Sequence, residues 1–358
     1  MKKIDWYIIK KFLGTFFFTL GLILLIVIIF DVSEKIDDFL EHELTLKSII
    51  FDYYLNFIPF FGNLFSPLFI FISVIFFTSR MANNSEIIAI LNSGMSFTLL
   101  LKPFLISAVI LGLISFILGN FIIPPSNNKR INFENKYIKN KRYANEKDIH
   151  MQILPGQYIY MQSFNSRRNI GYKFTLENFT EGVLKSKLKS DYIQFDSITN
   201  KWQINNYQIR EFLNEKQKIS EGRRLDTTLN LHPKEFTKRT SLVETMNLFE
   251  LNNYIAEEQL KGSEQLVYHK IEKHKRNAFP FASVILTLIA VAIASRKTKG
   301  GTGMHLGIGI LIAFTYILFM QISTTFATNS DLAPALAVWI PNICYILFAG
   351  VLLYKTPK

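Results

Sequence analysis

Cysteine is almost absent. Cys344 stands alone in 358 residues, so no intramolecular disulfide can form and a disulfide-stapled scaffold is excluded. The chain has no GxxxxGK[ST] stretch, and therefore no P-loop to cradle and hydrolyse a nucleotide. The Gly-rich GGTGMHLG at 300–307 lacks both that spacing and the lysine, and reads as a flexible turn. The six histidines form no HExxH and no paired ligand spacing; His269 and His274 lie five apart in a helical pattern, on different faces. No metal site and no catalytic constellation is expected. The long apolar runs contain no Lys, Arg, Asp or Glu, so the intramembrane charges of a proton or ion relay are missing too.

What is present is apolar length. Hydrophobic residues make up 49% of the chain, with 33 Phe and a net charge of +12. A membrane span needs about 20 mostly apolar residues, and six stretches qualify, at 12–30, 53–79, 103–123, 277–295, 304–327 and 333–354. Each is long enough to cross a bilayer. The first is too long for a signal-peptide core and is followed by Asp31 and Glu34 rather than a small-residue cleavage site.

The short flanks set an orientation. Lys2, Lys3, Lys10 and Lys11 precede the first run, Arg80 and Lys102 bracket the turn between the second and third, Arg296, Lys297 and Lys299 fill the next such turn, and Lys355 and Lys358 end the chain. All fall on one side, so the positive-inside rule places both termini in the cytoplasm. Segment 124–276 then lies on the far side and divides the spans three and three.

Within that segment 157–164, 171–179, 191–198 and 201–212 are rich in Tyr, Ile, Phe and Thr and separated by turn residues, the pattern of short strands in a small sandwich or open barrel. In KWQINNYQIREF, Trp202 and Ile204 share one parity while Tyr207 and Ile209 share the other; a bulge near Asn205 and Asn206 is the expected reconciliation. From about Glu244 the period turns helical, and Pro280 is expected to kink the start of the fourth span. The segment carries 27 Lys or Arg against 18 Asp or Glu. A solvated basic face explains this surplus as well as an anionic partner such as a phosphorylated lipid head group does; nucleic acid is not expected on the far side.

The turn MANNSEIIAILNSGMS (81–96) is the remaining signal. Asn83, Asn84 or Ser85 can cap a short helix, Glu86 suits its first turn, and Gly94 suits the position just past its end. Ile87, Ile90 and Leu91 share one stripe, with Ile88 at its edge, while Glu86, Ala89 and Ser93 form a second face. Interfacial helices that rest on a membrane carry Lys or Arg on the polar face; this one has none, so an apolar stripe beside one acid is expected to seat in a groove on another protein.

These residues resemble a family. SEIIAILNSGMS after the second span is similar to the coupling helix of the LptF/LptG lipopolysaccharide export permeases, and DVSEKIDDF, IIPPSNNK and HKRNAFPFASVILTLIAVAIA extend the resemblance over nearly the whole chain. The family implies a membrane protein of six transmembrane α-helices, three plus three, with an inserted periplasmic β-jellyroll-like domain. The expected divisions are 1–123 for the first three spans with a coupling helix at 84–94, 124–243 for the β-domain, 244–276 for a helical connection, and 277–358 for the last three spans.

The resemblance implies a transport subunit, not an enzyme, of an ATP-driven exporter that extracts lipopolysaccharide from the bacterial inner membrane. Its partners would be a dimer of a cytoplasmic ABC ATPase, a second related permease chain and a periplasmic bridge protein. The chain would bind no cofactor itself; ATP and Mg would serve the ATPase. Ser85, Glu86, Ile87, Ile90, Leu91 and Gly94 would couple to the ATPase, although Asn84 stands where many members have Arg. Lys35 resembles the family's phosphate-contacting lysine, and Lys129, Arg130 and Lys136 are further candidates for lipopolysaccharide binding. Two rival readings are a membrane-anchored scaffold whose far-side domain holds a partner without transport, and a lipid-modifying enzyme, for which the acids at 31–43 lack a paired nucleophile or histidine.

Overall fold

The computed structural model describes residues 3–138, 145–165, 168–197, 199–213, 216–233, 240–260, 262–263, 265–297, 300–330 and 332–356. The chain divides into two units: 1–138, 243–251 and 267–358 form the helical one, and 139–242 with 252–266 the other.

The helical unit holds six helices long and apolar enough to cross a membrane. α1 (Lys3–Glu41) is a single rod. A short α2 (Leu46–Ser48), whose first turn is capped by the Thr45 hydroxyl accepting from the Ser48 amide at 3.3 Å, runs through a π-helical turn (Ile49–Tyr54) into α3 (Leu55–Asn83). α4 (Glu86–Asn92) follows, then α5 (Phe97–Ile117), which continues through a second π turn (Leu118–Ile122) into α6 (Ile123–Phe133) and a third (Glu134–Ile138). After the β unit come a 3₁₀ turn (Thr240–Thr245), α7 (Leu248–Leu260) and the last three spans, α8 (Leu266–Ala294), α9 (Gly301–Asn329) and α10 (Pro334–Tyr354).

The first three apolar runs lie inside longer helices: the polar flanks of the first two contain no Gly or Pro to stop them, and the third passes Pro124 and Pro125 through a π turn, with a proline at the start of α6. α8 runs on through Pro280, and Gly112 of α5 lies against the Pro280 carbonyl, where a Cβ would stand 3.0 Å away. One continuous core joins Ile8, Phe12 and Phe16 of α1, Ile70 and Val74 of α3, Phe104 of α5 and Leu286 and Ile289 of α8. The apolar window of α8 is 61% buried, whereas that of α1 is 11%. α8 is therefore central and α1 peripheral, its Phe17, Phe18, Leu25 and Phe30 turned outward.

The second unit is one antiparallel sheet whose strand order follows the chain: β1 (Asn145–Leu154), β2 (Gln157–Asn165), β3 (Ile170–Thr180), β4 (Val183–Asp196), β5 (Lys201–Leu213) and β6 (Lys216–Thr227). Its core centres on Trp202, Phe164, Phe174 and Ile193, with the Trp202 indole donating to the Leu231 carbonyl at 2.8 Å.

The parity change in β5 is real, but it is not the single-strand bulge expected there. Register with β4 is unchanged on either side, from Ile193↔Ile204 to Ser190↔Tyr207. Only the Asp191/Asn206 pair is skipped, and Lys173/Asp191 is skipped likewise between β3 and β4. Asp148, Lys173 and Asn206 all take positive φ. The irregularity thus crosses neighbouring strands as one row, which inverts the inward parity in each without sliding any strand past its neighbour. Asp191 ties the row together, accepting from Asn206 at 3.1 Å and pairing with Lys173 at 3.5 Å.

Candidate functional site

Two places in the helical unit gather the residues singled out by the sequence. The first lies where α1 ends and α3 begins. Phe39, Tyr53, Tyr54, Phe57 and Phe133 pack into one buried aromatic cluster. Tyr53 stacks on Phe133 with centroids 5.2 Å apart, and Phe133 meets Tyr137 at 4.9 Å. The candidate cations surround these rings. Lys35 lies over Tyr53 at 4.8 Å, Lys136 over Tyr137 at 4.7 Å, and Arg130 over Phe60 at 5.1 Å. Cation–π contacts of this length hold a charge beside an apolar surface without neutralising it.

Their remaining partners differ. Lys35 is not a snorkelling surface lysine; its side chain is 16% exposed, it pairs with Asp31 at 2.5 Å, and it donates to the Tyr53 hydroxyl. Tyr54 donates to the other Asp31 oxygen at 3.1 Å. Arg130 pairs with Glu134 at 2.9 Å and reaches the Asn127 amide oxygen at 3.4 Å. Lys129 and Lys136 are exposed, with no acidic partner among the described residues. The structure therefore brings Lys35, Arg130 and Lys136 to one aromatic wall but commits two of the three to internal carboxylates. Sequence reasoning missed Asp31, Tyr53 and Tyr54; the i, i+4 spacing of Asp31 and Lys35 was the available signal.

The second place is α4. Ser85 is its N-cap residue, but with φ of 61° and no side-chain capping bond, so the capping expected of it is not made. The left-handed turn at Ser85 instead redirects the chain out of α3, with the Ser85 amide donating to the Ala82 carbonyl at 3.0 Å. Asn84 donates to Glu86 at 3.3 Å. Gly94 closes the far end at φ +84°, a conformation that favours glycine.

The apolar stripe faces inward. Ile87 is 2% exposed and belongs to the span core, with Ile90 and Leu91 packed against it. Ile87 thus clips α4 onto its own spans, while Ile90 and Leu91 are half-buried and keep part of their surface open. The outward surface is Ile88, Ala89, Asn92 and Ser93. Glu86 also points back toward α1. It shares a cavity with Tyr7, Lys11, Arg80 and Asn84.

Both places lie along α1. Tyr7 and Lys35 are separated by 28 residues, about 42 Å at the α-helical rise.

The sequence matches the family described as lipopolysaccharide export system permease LptF/LptG over residues 6–355. No curated protein matches it. A match of that length, on six spans interrupted by a β-domain, shows that the chain is a multi-pass membrane protein belonging to the LptF/LptG family of lipopolysaccharide export permeases.

Proposed function

We propose that the chain is one of two permease subunits of an ATP-driven exporter that lifts lipopolysaccharide out of the bacterial inner membrane, with both termini in the cytoplasm and the β unit in the periplasm. The observation that carries this reading is the pairing of two places on one peripheral helix: a short helix on the side of the basic turns, and a cationic aromatic wall at the other end of α1. The family to which the chain belongs supports the cargo.

In this reading an ATPase dimer, using ATP and Mg, presses on the exposed Ile88–Ala89–Asn92 face of α4. Ile87, Ile90 and Leu91 pass the displacement into the span core, and Glu86 passes it to α1 across the cavity that it shares with Tyr7 and Lys11. At the other end the lipid phosphates meet Lys35, Arg130 and Lys136, with Lys129 at the rim. The outward aromatic and aliphatic face of α1 offers the acyl chains or a second permease chain an apolar wall. The β unit receives the lipid and joins a periplasmic bridge.

The test is affinity purification of the full chain in mild detergent. Co-purification of a P-loop ATPase and a second six-span chain is expected. Recovery of the chain with only a non-ATPase partner would favour a membrane-anchored scaffold.

A further inference from the structure

A cavity of 190 Å³ lies beside α6, at the end of the spans from which the chain enters the β unit. Its lining combines the apolar Phe60, Leu64 and Phe279 with the charged Glu244, Glu272 and Lys275. Arg276 builds the wall and is fully committed. It is 9% exposed, donates to the Met246 carbonyl at 2.7 Å and to the Val243 carbonyl at 2.8 Å, and pairs with Glu272 at 3.0 Å. This clamp holds the turn that bears Glu244 against α8, and Asn127 supports the Glu244 carbonyl at 3.5 Å.

Two charges remain uncommitted. No hydrogen bond or ion pair engages the Glu244 carboxylate or the Lys275 ammonium among the described residues, and both are half-buried. Burial, with the charge of Glu272 added, holds the Glu244 carboxyl above the ordinary glutamate range; Arg130, Arg276 and Lys275 oppose the shift.

We propose that this cavity binds a phosphoethanolamine group of a membrane lipid, its ammonium against Glu244 and Glu272, its phosphate on Lys275, and the adjoining apolar portion over Phe60 and Phe279. The charge pattern selects this chemistry. An anion alone would meet two carboxylates. A hard divalent cation wants six or more oxygen ligands, and no group of three or more acidic, His or Cys residues able to hold a metal occurs among the described residues. A group with a cation and an anion a few ångströms apart satisfies both ends, and each partner gains strength at a partly desolvated site. The proposal does not depend on the exporter reading.

The full chain with its co-purifying partners, delipidated and reconstituted, would be titrated with phosphatidylethanolamine and with phosphatidylglycerol, binding being read by native mass spectrometry. Phosphatidylethanolamine should be retained about tenfold better. Glu244→Gln, which mimics the protonated acid and is expected to leave the fold intact, should remove most of that preference, and Lys275→Gln should weaken both lipids. Since the ammonium needs an ionised carboxylate, the preference should grow as pH rises through the elevated Glu244 value and fade below it. A third arm with lipid A bearing phosphoethanolamine distinguishes the sources: preference for it over phosphatidylethanolamine assigns the site to the cargo, and the reverse assigns it to bilayer lipid. Equal retention of ethanolamine and glycerol head groups, or a preference untouched by Glu244→Gln in a normally melting protein, would overturn the proposal.

Discussion

Nζ of Lys35 lies 2.5 Å from Oδ1 of Asp31, one helical turn back on α1, and both tyrosines at 53 and 54 donate to that same carboxylate. A lipid phosphate reaching Lys35 must therefore compete with a counter-ion already in place. The side chains are 16% and 13% exposed, so solvent screens this exchange only weakly.

Asp31→Asn should release Lys35 from that competition. The expected outcome is several-fold tighter binding of a bis-phosphorylated lipid A, with no change for the dephosphorylated lipid. Unchanged or weaker binding of the phosphorylated form, in a protein of normal melting temperature, would mean that Asp31 only supports the aromatic cluster.

Lys35→Glu should impair export far more than Lys35→Arg, because it places a second acid beside Asp31 and repels the phosphate. Export rates at matched protein levels measure this. Equal effects of the two changes would leave Lys35 as a structural ion-pair member.

The two faces of α4 should separate cleanly. Ile87→Ala removes a core side chain and should destabilise the spans by about 2–5 kcal/mol, read as a lower melting temperature in detergent. Ile88→Asp is a surface change, expected to cost less than about 0.5 kcal/mol, yet it should weaken ATPase association strongly. The reverse pattern would restore the buried stripe as the docking surface.

Cysteines placed at 126 or 216 should react with a membrane-impermeant thiol reagent in intact cells, and cysteines at 84 or 299 should not. Position 299 lies outside the described residues; position 84 sits in the turn leading to α4. Labelling at 84 from outside would invert the proposed topology.

The spans were legible because an uninterrupted apolar run of that length has few other uses, but their ends were not. α1 continues through Asp31, Lys35 and Glu41, where nothing in the residues breaks a helix. Strands β2, β3 and β5 and the second part of β4 were visible in their Tyr, Ile and Phe content, whereas the Lys- and Ser-rich first part of β4 was not. The edge strands β1 and β6 were not, because NEKDIHMQIL and KQKISEGRRLDT are largely polar and β6 is mostly exposed. The inverted parity of β5 could be read, but that its neighbours share the defect requires their alignment. Periodicity likewise showed that α4 has an apolar stripe without showing what covers it. The ring of aromatics that gathers Lys35, Arg130 and Lys136 joins residues about a hundred positions apart, and no local pattern reveals it.

In the proposed mechanism, force applied at α4 moves lipopolysaccharide at the other end of α1. The direct measurement is ATP-dependent release of lipopolysaccharide from proteoliposomes containing the chain and its co-purified partners, with ATP hydrolysis recorded in the same sample. Wild type should couple the two, whereas Glu86→Lys, which reverses the charge in the cavity it shares with Tyr7, Lys11 and Arg80 and opposes the helix dipole, should abolish release while the chain still inserts and folds. Wild-type release by Glu86→Lys would contradict the account and leave α4 as a turn at the membrane surface.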